Sequence, residues 1–293
     1  MDSFASDFSE SKTMSPRPIR PLVAVLLTGA LGACAAHRSI EDEIDHSNRR
    51  VVDAMQFRTF TTDDPIELRT TGPLAVNVDN FAGDVIIKAD PMAEATVVEV
   101  RRMSTMGLGR WQESREELDD VKWTATLEPR EGGGDTLQVR ASAENPEPHF
   151  FRARVLVITP ALDRVSVRTT QGDVTVLENQ GPVDIETTRG DVRMLTPWPM
   201  TQPIKIITSQ GSIDYRVRGE SKGAFDAASH GGEVRQRCEY GHWRALAAEN
   251  DHDRMLATLN NGTNPVFLRT SEKNIRVAVV ADPTNVGREI VDP

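Results

Sequence analysis

Between residues 165 and 234, hydrophobic and polar positions alternate in short runs, and each run leads to a glycine. Counted from that glycine, apolar residues stand at positions minus seven, minus five and plus two, and a Thr or Ser usually stands at minus three. Alternation with a period of two predicts β-strands with one face in a core and the other in water. The apolar residues are Val165, Val167 and Val174; Val183, Ile185 and Val192; Ile204, Ile206 and Ile213; and Phe225, Ala227 and Val234.

The glycines of this array recur at spacings of 18, 21 and 21 residues. An earlier copy is VNVDNFAGDVIIK, and a degenerate copy surrounds Gly262. Glycine readily adopts the positive φ of a tight turn, so each repeat predicts a strand, a corner and a second strand. A meander of hairpins and a β-solenoid both fit this order, but a fixed period near twenty favours the solenoid. The predicted structural turns are Gly83, Gly172, Gly190, Gly211 and Gly232.

Residues 89–162 interrupt the array with a different pattern. The segment RWQESREELDDV has a helical composition, whereas VKWTATLEP and TLQVRA flank EGGGD and predict a hairpin. We interpret the insert as an elaboration of the first coils, within one all-β domain over residues 61–280. Residues 281–293 are expected to form a tail.

The array resembles the bacterial putative-adhesin family related to the auto-transporter adhesin head, or GIN, domain. Gly-Asp-Val and Gly-Ser-Ile corners preceded by Thr/Ser pairs carry the resemblance, together with the lead-in VLVITPALDRVSVRTTQGDV. The resemblance spans about residues 66–280. It implies a right-handed β-helix-like solenoid, exposure at the surface or in the periplasm, and no catalytic residues.

The N-terminus carries a targeting signal. Arg17 and Arg20 precede an apolar run from Leu22 to Ala33, which has the length of a signal-peptide core and is too short to span a bilayer. The run ends in Leu-Gly-Ala-Cys, which resembles the bacterial lipobox. This resemblance implies cleavage before Cys34 and acylation of that cysteine.

We therefore predict a lipoprotein signal peptide over residues 1–33 and a tether over residues 34–60. Several acyl chains would hold the protein firmly to a lipid bilayer. In Gram-negative lipoproteins, an Asp directly after the acylated cysteine signals retention in the inner membrane. Ala35 stands at that position here, so the resemblance favours the outer membrane. Translation could begin at Met1 or at Met14, because the segment from Met14 onward reads as a compact signal peptide.

The composition of the chain argues against several kinds of partner and site. The net charge of −10 argues against a nucleic-acid partner, which would require a basic surface. Cys34 and Cys238 are the only two cysteines, which excludes a disulfide framework and a multi-cysteine zinc site. We expect Cys238 to behave as a small buried apolar residue.

The candidate chemistry is sparse. His242 and His252 lie near acidic residues, but their spacing fits no common metal-ligand pattern. The tripeptide RGD at 189–191 is interpreted as one more copy of the repeat. We therefore expect no catalytic residue, no metal and no cofactor.

Two outward rows and one tryptophan are candidate sites. A row of acids after the corners could bind Ca²⁺, but a serine breaks it, so these side chains are expected to cap turns or face water. Arg193 and Arg235 each stand three residues after the corner glycine, at an outward position of the strand. In the other two coils Thr175 and Asp214 occupy that position, so the arginines do not form a continuous row along the chain. Trp198, within TPWPMTQP, could stack on a sugar ring or cover the edge of the core. The acidic row comprises Asp173, Asp191, Ser212 and Glu233.

These observations favour a non-enzymatic, envelope-anchored lipoprotein with an adhesin-like binding or scaffolding role. Its expected partners are the bilayer, through Cys34, and a glycan or an envelope protein. A carbohydrate-active β-helix enzyme and a periplasmic sensory or assembly partner stay open as alternatives.

Overall fold

The computed structural model describes residues 59–104, 111–144, 150–246 and 251–284. Within these ranges the chain forms twenty strands, one short α-helix and one 3-10 helix. No helix of the described part is both long enough and apolar enough to cross a membrane. The predicted signal peptide, Cys34 and most of the tether lie outside the described residues.

The strands are β1 Thr59–Thr62, β2 Ile66–Leu68, β3 Leu74–Asn80, β4 Val85–Ala89, β5 Thr96–Ser104, β6 Val121–Pro129, β7 Asp135–Ala143, β8 Phe151–Thr159, β9 Leu162–Gln171, β10 Val174–Leu177, β11 Val183–Arg189, β12 Val192–Leu195, β13 Ile204–Gln210, β14 Ile213–Arg218, β15 Gly223–Ser229, β16 Val234–Cys238, β17 Trp243–Ala245, β18 Arg254–Leu259, β19 Pro265–Thr270 and β20 Ile275–Val280. Helix α1 is Trp111–Glu116, and the 3-10 helix is Glu117–Asp120.

These strands form two long sheets. Sheet A has the order β1-β5-β8-β4-β10-β12-β14-β20-β16, with β2 also paired to β5, and sheet B has the order β17-β18-β15-β19-β13-β11-β9-β3-β7-β6. Each coil places one strand in sheet B and, after a corner, one strand in sheet A, and successive coils pair in parallel. The predicted all-β solenoid fold class, with a small helix in the insert, is confirmed.

The core lies between the two sheets and is built from the alternating positions of the repeat. Val167, Ile185 and Ile206 are register partners in adjacent strands, and each is 0% exposed. Val78 of the earlier copy pairs with Val167 and is also buried. The sequence pattern therefore identified the inward face of each strand correctly.

The coils do not stack in the order of the chain. Strands β19 and β20 lie between the coil that contains Gly211 and the coil that contains Gly232. Thr270 pairs with Thr208 and Ile275 pairs with Ile213, which places Lys273 at the register position of Gly211.

The sequence interpretation missed this coil because a lysine stands where it required a glycine. The copy it expected around Gly262 is wrong. That segment joins β18 to β19 within sheet B and does not form a corner between the sheets.

The insert supplies a further coil. Strand β7 pairs in parallel with β3, and β8 pairs in parallel with β4, so β7 and β8 repeat the arrangement of one strand per sheet. The predicted hairpin is present, because β6 pairs antiparallel with β7. Strand β5 pairs antiparallel with β8 on the other sheet.

Candidate functional site

The outer face of sheet B carries a groove of about 720 Å³ that crosses six neighbouring strands, β7, β3, β9, β11, β13 and β19. With neighbouring strands about 4.8 Å apart, five intervals give a length of about 24 Å. The groove is therefore long enough to hold an extended chain rather than a single small molecule.

A row of prolines forms the apolar side of this groove. Each precedes the first inward residue of a sheet B strand, at position minus eight of the corner. At that position the strand begins, so a missing backbone N–H costs no ladder hydrogen bond. The proline carbonyls still pair, since Val165 N donates to Pro182 O at 3.1 Å and Val183 N donates to Pro203 O at 3.1 Å. The three groove prolines are Pro182, Pro203 and Pro265.

Phe267 adds an aromatic surface at one end of the groove. The guanidinium carbon of Arg269 lies 3.9 Å from the centre of the Phe267 ring, within cation–π distance. Arg269 is itself fixed by Asp226, with Nη2 at 2.7 Å from Oδ2. The ring is therefore held in place on an outward position of the sheet.

The polar side of the groove consists of outward residues at position minus six and their neighbours. Asn77, Thr136 and Ser166 supply amide and hydroxyl groups. Arg164 is exposed, and no carboxylate within the described ranges pairs with it. Arg130, by contrast, forms a two-pronged ion pair with Asp163, at 3.1 and 2.6 Å. The Arg164 guanidinium is thus a cation available to a ligand.

An ion-pair network borders the groove on strands β9, β11 and β13. Glu186 accepts hydrogen bonds from Lys205 and Arg168, while Asp184 lies 3.5 Å from Lys205 Nζ and 3.6 Å from Arg168 Nη2. The hydrogen bond from Lys205 lowers the pKa of Glu186, and the same bond raises the pKa of Lys205. Glu186 and Lys205 are therefore both charged at neutral pH, and the ion pairs of this network hold the wall of the groove in place.

The predicted turn glycines lie at the corners between the two sheets, away from this groove. Gly83, Gly172 and Gly190 have φ values of 118°, 134° and 146°, in the region that favours glycine. Gly211 and Gly232 are without a positive φ. A Cβ at Gly211 would lie 1.8 Å from the carbonyl oxygen of Gly190, so close approach of the chains excludes a side chain there.

The acidic row after the corners links one coil to the next. Asp84 Oδ1 accepts the backbone N–H of Asp173 at 3.0 Å, and Asp173 Oδ1 accepts that of Asp191 at 2.9 Å. Asp191 Oδ1 in turn accepts the N–H of Ser212 at 2.8 Å. These carboxylates cap corners, as expected, and the RGD aspartate is one of them. In the described residues no group of three or more His, Cys, Asp or Glu is placed to hold a metal ion.

Trp198 and Cys238 are placed outside the groove. Trp198 lies in the loop between β12 and β13 and is 41% exposed, with its backbone N–H donated to Thr196 Oγ1 at 3.2 Å. Cys238 is half-buried rather than fully buried, because β16 is the last strand of sheet A. Burial raises the pKa of its thiol. Cys34 lies outside the described residues.

The sequence interpretation did not assemble the groove, although two signals pointed to it. A proline recurs at position minus eight of three coils, and polar residues recur at minus six. The prolines and polar residues form one continuous surface only when β19, with Pro265 and Phe267, is placed beside β13. Asn77, Arg164 and Phe267 carry no motif of their own, since their proximity depends on strand register.

The fold and the groove define a two-sheeted β-solenoid with a surface suited to binding. Residues 159–278 match the family model described as Toastrack DUF4097. This match covers the main array, including the coil of β19 and most of β20. A comparison with curated proteins gives no significant match.

Several solved bacterial structures align with this chain at low sequence identity. A "putative cell adhesion protein" from Clostridium sporogenes is 9% identical, aligns over 76% of this chain and 100% of its own, and has a TM-score of 0.51, which supports the fold. A "putative adhesin" from Bacteroides fragilis is 8% identical, aligns over 75% of this chain and 97% of its own, and has a TM-score of 0.29. One from Parabacteroides distasonis is 9% identical, aligns over 76% and 98%, and has a TM-score of 0.22.

Proposed function

We propose that this protein is a non-enzymatic binding protein of the bacterial cell envelope, and that the groove on sheet B binds an extended glycan chain. The observation that carries the proposal is the groove itself, which crosses six strands and combines a proline and phenylalanine surface with amide, hydroxyl and guanidinium groups. Sugar rings present apolar C–H faces and polar hydroxyls, so this pairing of surfaces suits them. The description of the Clostridium protein as a "putative cell adhesion protein" agrees with a role of this class.

The charged groups at the groove favour binding over hydrolysis. A glycosidase needs a pair of carboxyl groups, one of them with a raised pKa so that it can act as an acid. Asp184 and Glu186 are the adjacent acids of the groove wall, and both are engaged by Lys205 and Arg168. The pKa of Glu186 is lowered, which is opposite to the direction that a general acid requires.

The anchoring part of the proposal rests on the resemblance of residues 31–34 to a bacterial lipobox. Attachment through this cysteine would hold the solenoid at the envelope, where glycans are abundant. Labelling cells with a palmitate analogue should mark the wild-type protein and leave the Cys34→Ser variant unmarked. An unmarked wild-type protein that keeps residues 1–33 would overturn the anchoring and leave the groove proposal standing.

Binding is tested by titrating the full chain with neutral oligosaccharides of increasing length. The affinity should rise with length until the glycan fills the groove and then stay level. The double variant Asn77→Ala, Phe267→Ala should lose most of the binding, whereas Thr175→Ala on sheet A should bind as the wild type does. Equal binding by both variants would refute the groove as the site, and shorter products released from a bound glycan would favour the enzyme alternative.

A further inference from the structure

The outer face of sheet A carries a row of arginines that is apparent only in the spatial order of the coils. Arg276 of β20 is the register partner of Asp214 on one side and of Arg235 on the other. On its other side, Asp214 is the register partner of Arg193 of β12. The row therefore reads Thr175, Arg193, Asp214, Arg276 and Arg235, with steps of about 4.8 Å between strands.

The carboxylate within this row is already neutralised. Arg216 reaches Asp214 with two hydrogen bonds, from Nε at 2.9 Å and from Nη2 at 2.7 Å. The Arg216 side chain is only 6% exposed and that of Asp214 15%, so this pair is largely shielded from solvent. Arg193 and Arg235 are more open, at 46% and 41% of their side chains. The accessible charge of the row is therefore positive.

Residues beside the row on β14 and β16 widen it into a strip that carries further arginines. Arg237 stands beside the row on β16 and pairs with Glu239, and Arg235 pairs with Glu233 at 2.9 Å. The strip holds five arginines against three carboxylates, whereas the whole chain has a net charge of −10. Ala278, next to Arg216 and Arg237 in register, is 1% exposed. The arginines are Arg193, Arg216, Arg235, Arg237 and Arg276, and the carboxylates are Asp214, Glu233 and Glu239.

We propose that this strip, which we call the arginine row, binds an acidic polysaccharide, that is, a linear chain with a carboxylate on its repeating unit. Guanidinium groups suit carboxylates because their planar donors can form two parallel hydrogen bonds. The row is narrow and runs across the strands, so a linear polyanion can follow it from Arg193 to Arg235. The proposal does not depend on the groove of sheet B.

The test is titration of the full chain with polygalacturonate oligomers at low salt. Binding should weaken as salt is raised, because exposed charges are screened. Arg235 is exposed and Arg276 is half-buried. The double variant Arg235→Gln, Arg276→Gln should bind about five- to tenfold more weakly, as expected for the loss of two ion pairs to the ligand at the protein surface. Glu233→Gln should bind more tightly than the wild type, because it releases Arg235 from its carboxylate.

Matched controls separate this row from other surfaces. Arg168→Gln removes an exposed, ion-paired arginine from sheet B and should leave polygalacturonate binding unchanged. The groove variant Asn77→Ala, Phe267→Ala should also leave it unchanged, so failure of the groove proposal and failure of this one are distinguishable. Equal loss in Arg168→Gln, or binding to phosphatidylglycerol vesicles but not to polygalacturonate, would overturn the proposal.

Discussion

Thr208 and Thr270 are register partners in neighbouring parallel strands, and each donates its hydroxyl to the carbonyl of a corner glycine. Thr208 Oγ1 lies 3.0 Å from Gly190 O, and Thr270 Oγ1 lies 2.6 Å from Gly211 O. Both threonines are buried. In these two coils, the threonine at position minus three therefore satisfies a backbone acceptor of the neighbouring coil, in a place that water does not reach.

Replacement of Thr270 with valine keeps the shape and removes the donor. We expect a loss of about 1–3 kcal/mol in the free energy of unfolding, because the carbonyl of Gly211 stays buried without its hydroxyl partner. Urea denaturation measures this value. Thr175→Val, at an outward position of sheet A, is the control and should change stability by less than about 0.5 kcal/mol. Equal values for the two variants would show that the inward hydroxyls contribute nothing.

A second prediction separates backbone strain from close approach at the corners. Gly190 has a φ of 146°, and a Cβ there would lie 2.0 Å from the carbonyl oxygen of Gly172. Gly132, in the turn between β6 and β7, has a φ of 92° but no atom within 4 Å of its added Cβ. Gly132→Ala should cost about 1–2 kcal/mol from strain alone. Gly190→Ala should cost more than about 4 kcal/mol or prevent folding.

Thermal or urea unfolding of both alanine variants gives the comparison. If Gly190→Ala were as stable as Gly132→Ala, the corners would have room to separate, and close stacking of the coils would not explain the glycine at this position.

Much of this fold could be predicted from local pattern. The inward positions around Gly172 and Gly190, the corner at Gly83 and the hairpin of β6 and β7 all follow from alternation and turn chemistry, which depend on neighbours in sequence. The coil of β19 and β20 did not follow, although VFLRTSEKNI has the same alternation. A lysine stands at its corner because no positive φ is needed there. Glycine was the wrong marker for this corner, and the inward threonine was the better one.

The candidate site was less predictable than the fold. Its residues lie on six strands, and their order across sheet B depends on where the coil of β19 is inserted. The arginine row could not be predicted for the same reason. Arg193 and Arg235 shared an offset in the sequence, but Arg276 between Asp214 and Arg235 completes the row only after strand order is known.

The third prediction tests the apolar column between the sheets with two neighbouring isoleucines. Ile206 points inward and is 0% exposed, whereas Ile207 points to the outer face of sheet B and is half-buried. Ile206→Ala should destabilise the protein by about 2–5 kcal/mol, because it leaves a cavity in a packed core. Ile207→Ala should cost less than about 1.5 kcal/mol, because a half-buried side chain gains less from burial than a fully buried one. Urea denaturation of both variants is the measurement, and a larger loss at Ile207 would reverse the assignment of the faces.

The fourth prediction concerns the pH dependence of the groove wall. Because Lys205 lowers the pKa of Glu186 below its ordinary value of 4.5, the folded state favours the ionised form. The stabilisation is therefore present above pH 4.5 and is lost as pH falls through the lower, folded-state pKa. The pKa of Lys205 is raised above 10.5, so its contribution persists below pH 10.5 and is lost as pH rises through the folded-state pKa.

The change that tests this is Glu186→Gln, compared with the wild type by urea denaturation across pH. The variant should be less stable than the wild type at neutral pH, and the difference should shrink as pH falls below 4.5, since the wild-type carboxylate then becomes neutral as well. Glu67→Gln is the control, because Glu67 is exposed on β2 and makes no ion pair within the described part of the chain. A stability difference for Glu186→Gln that stayed constant at acid pH would mean that Glu186 acts through packing, and that the ion pair with Lys205 does not hold the groove wall.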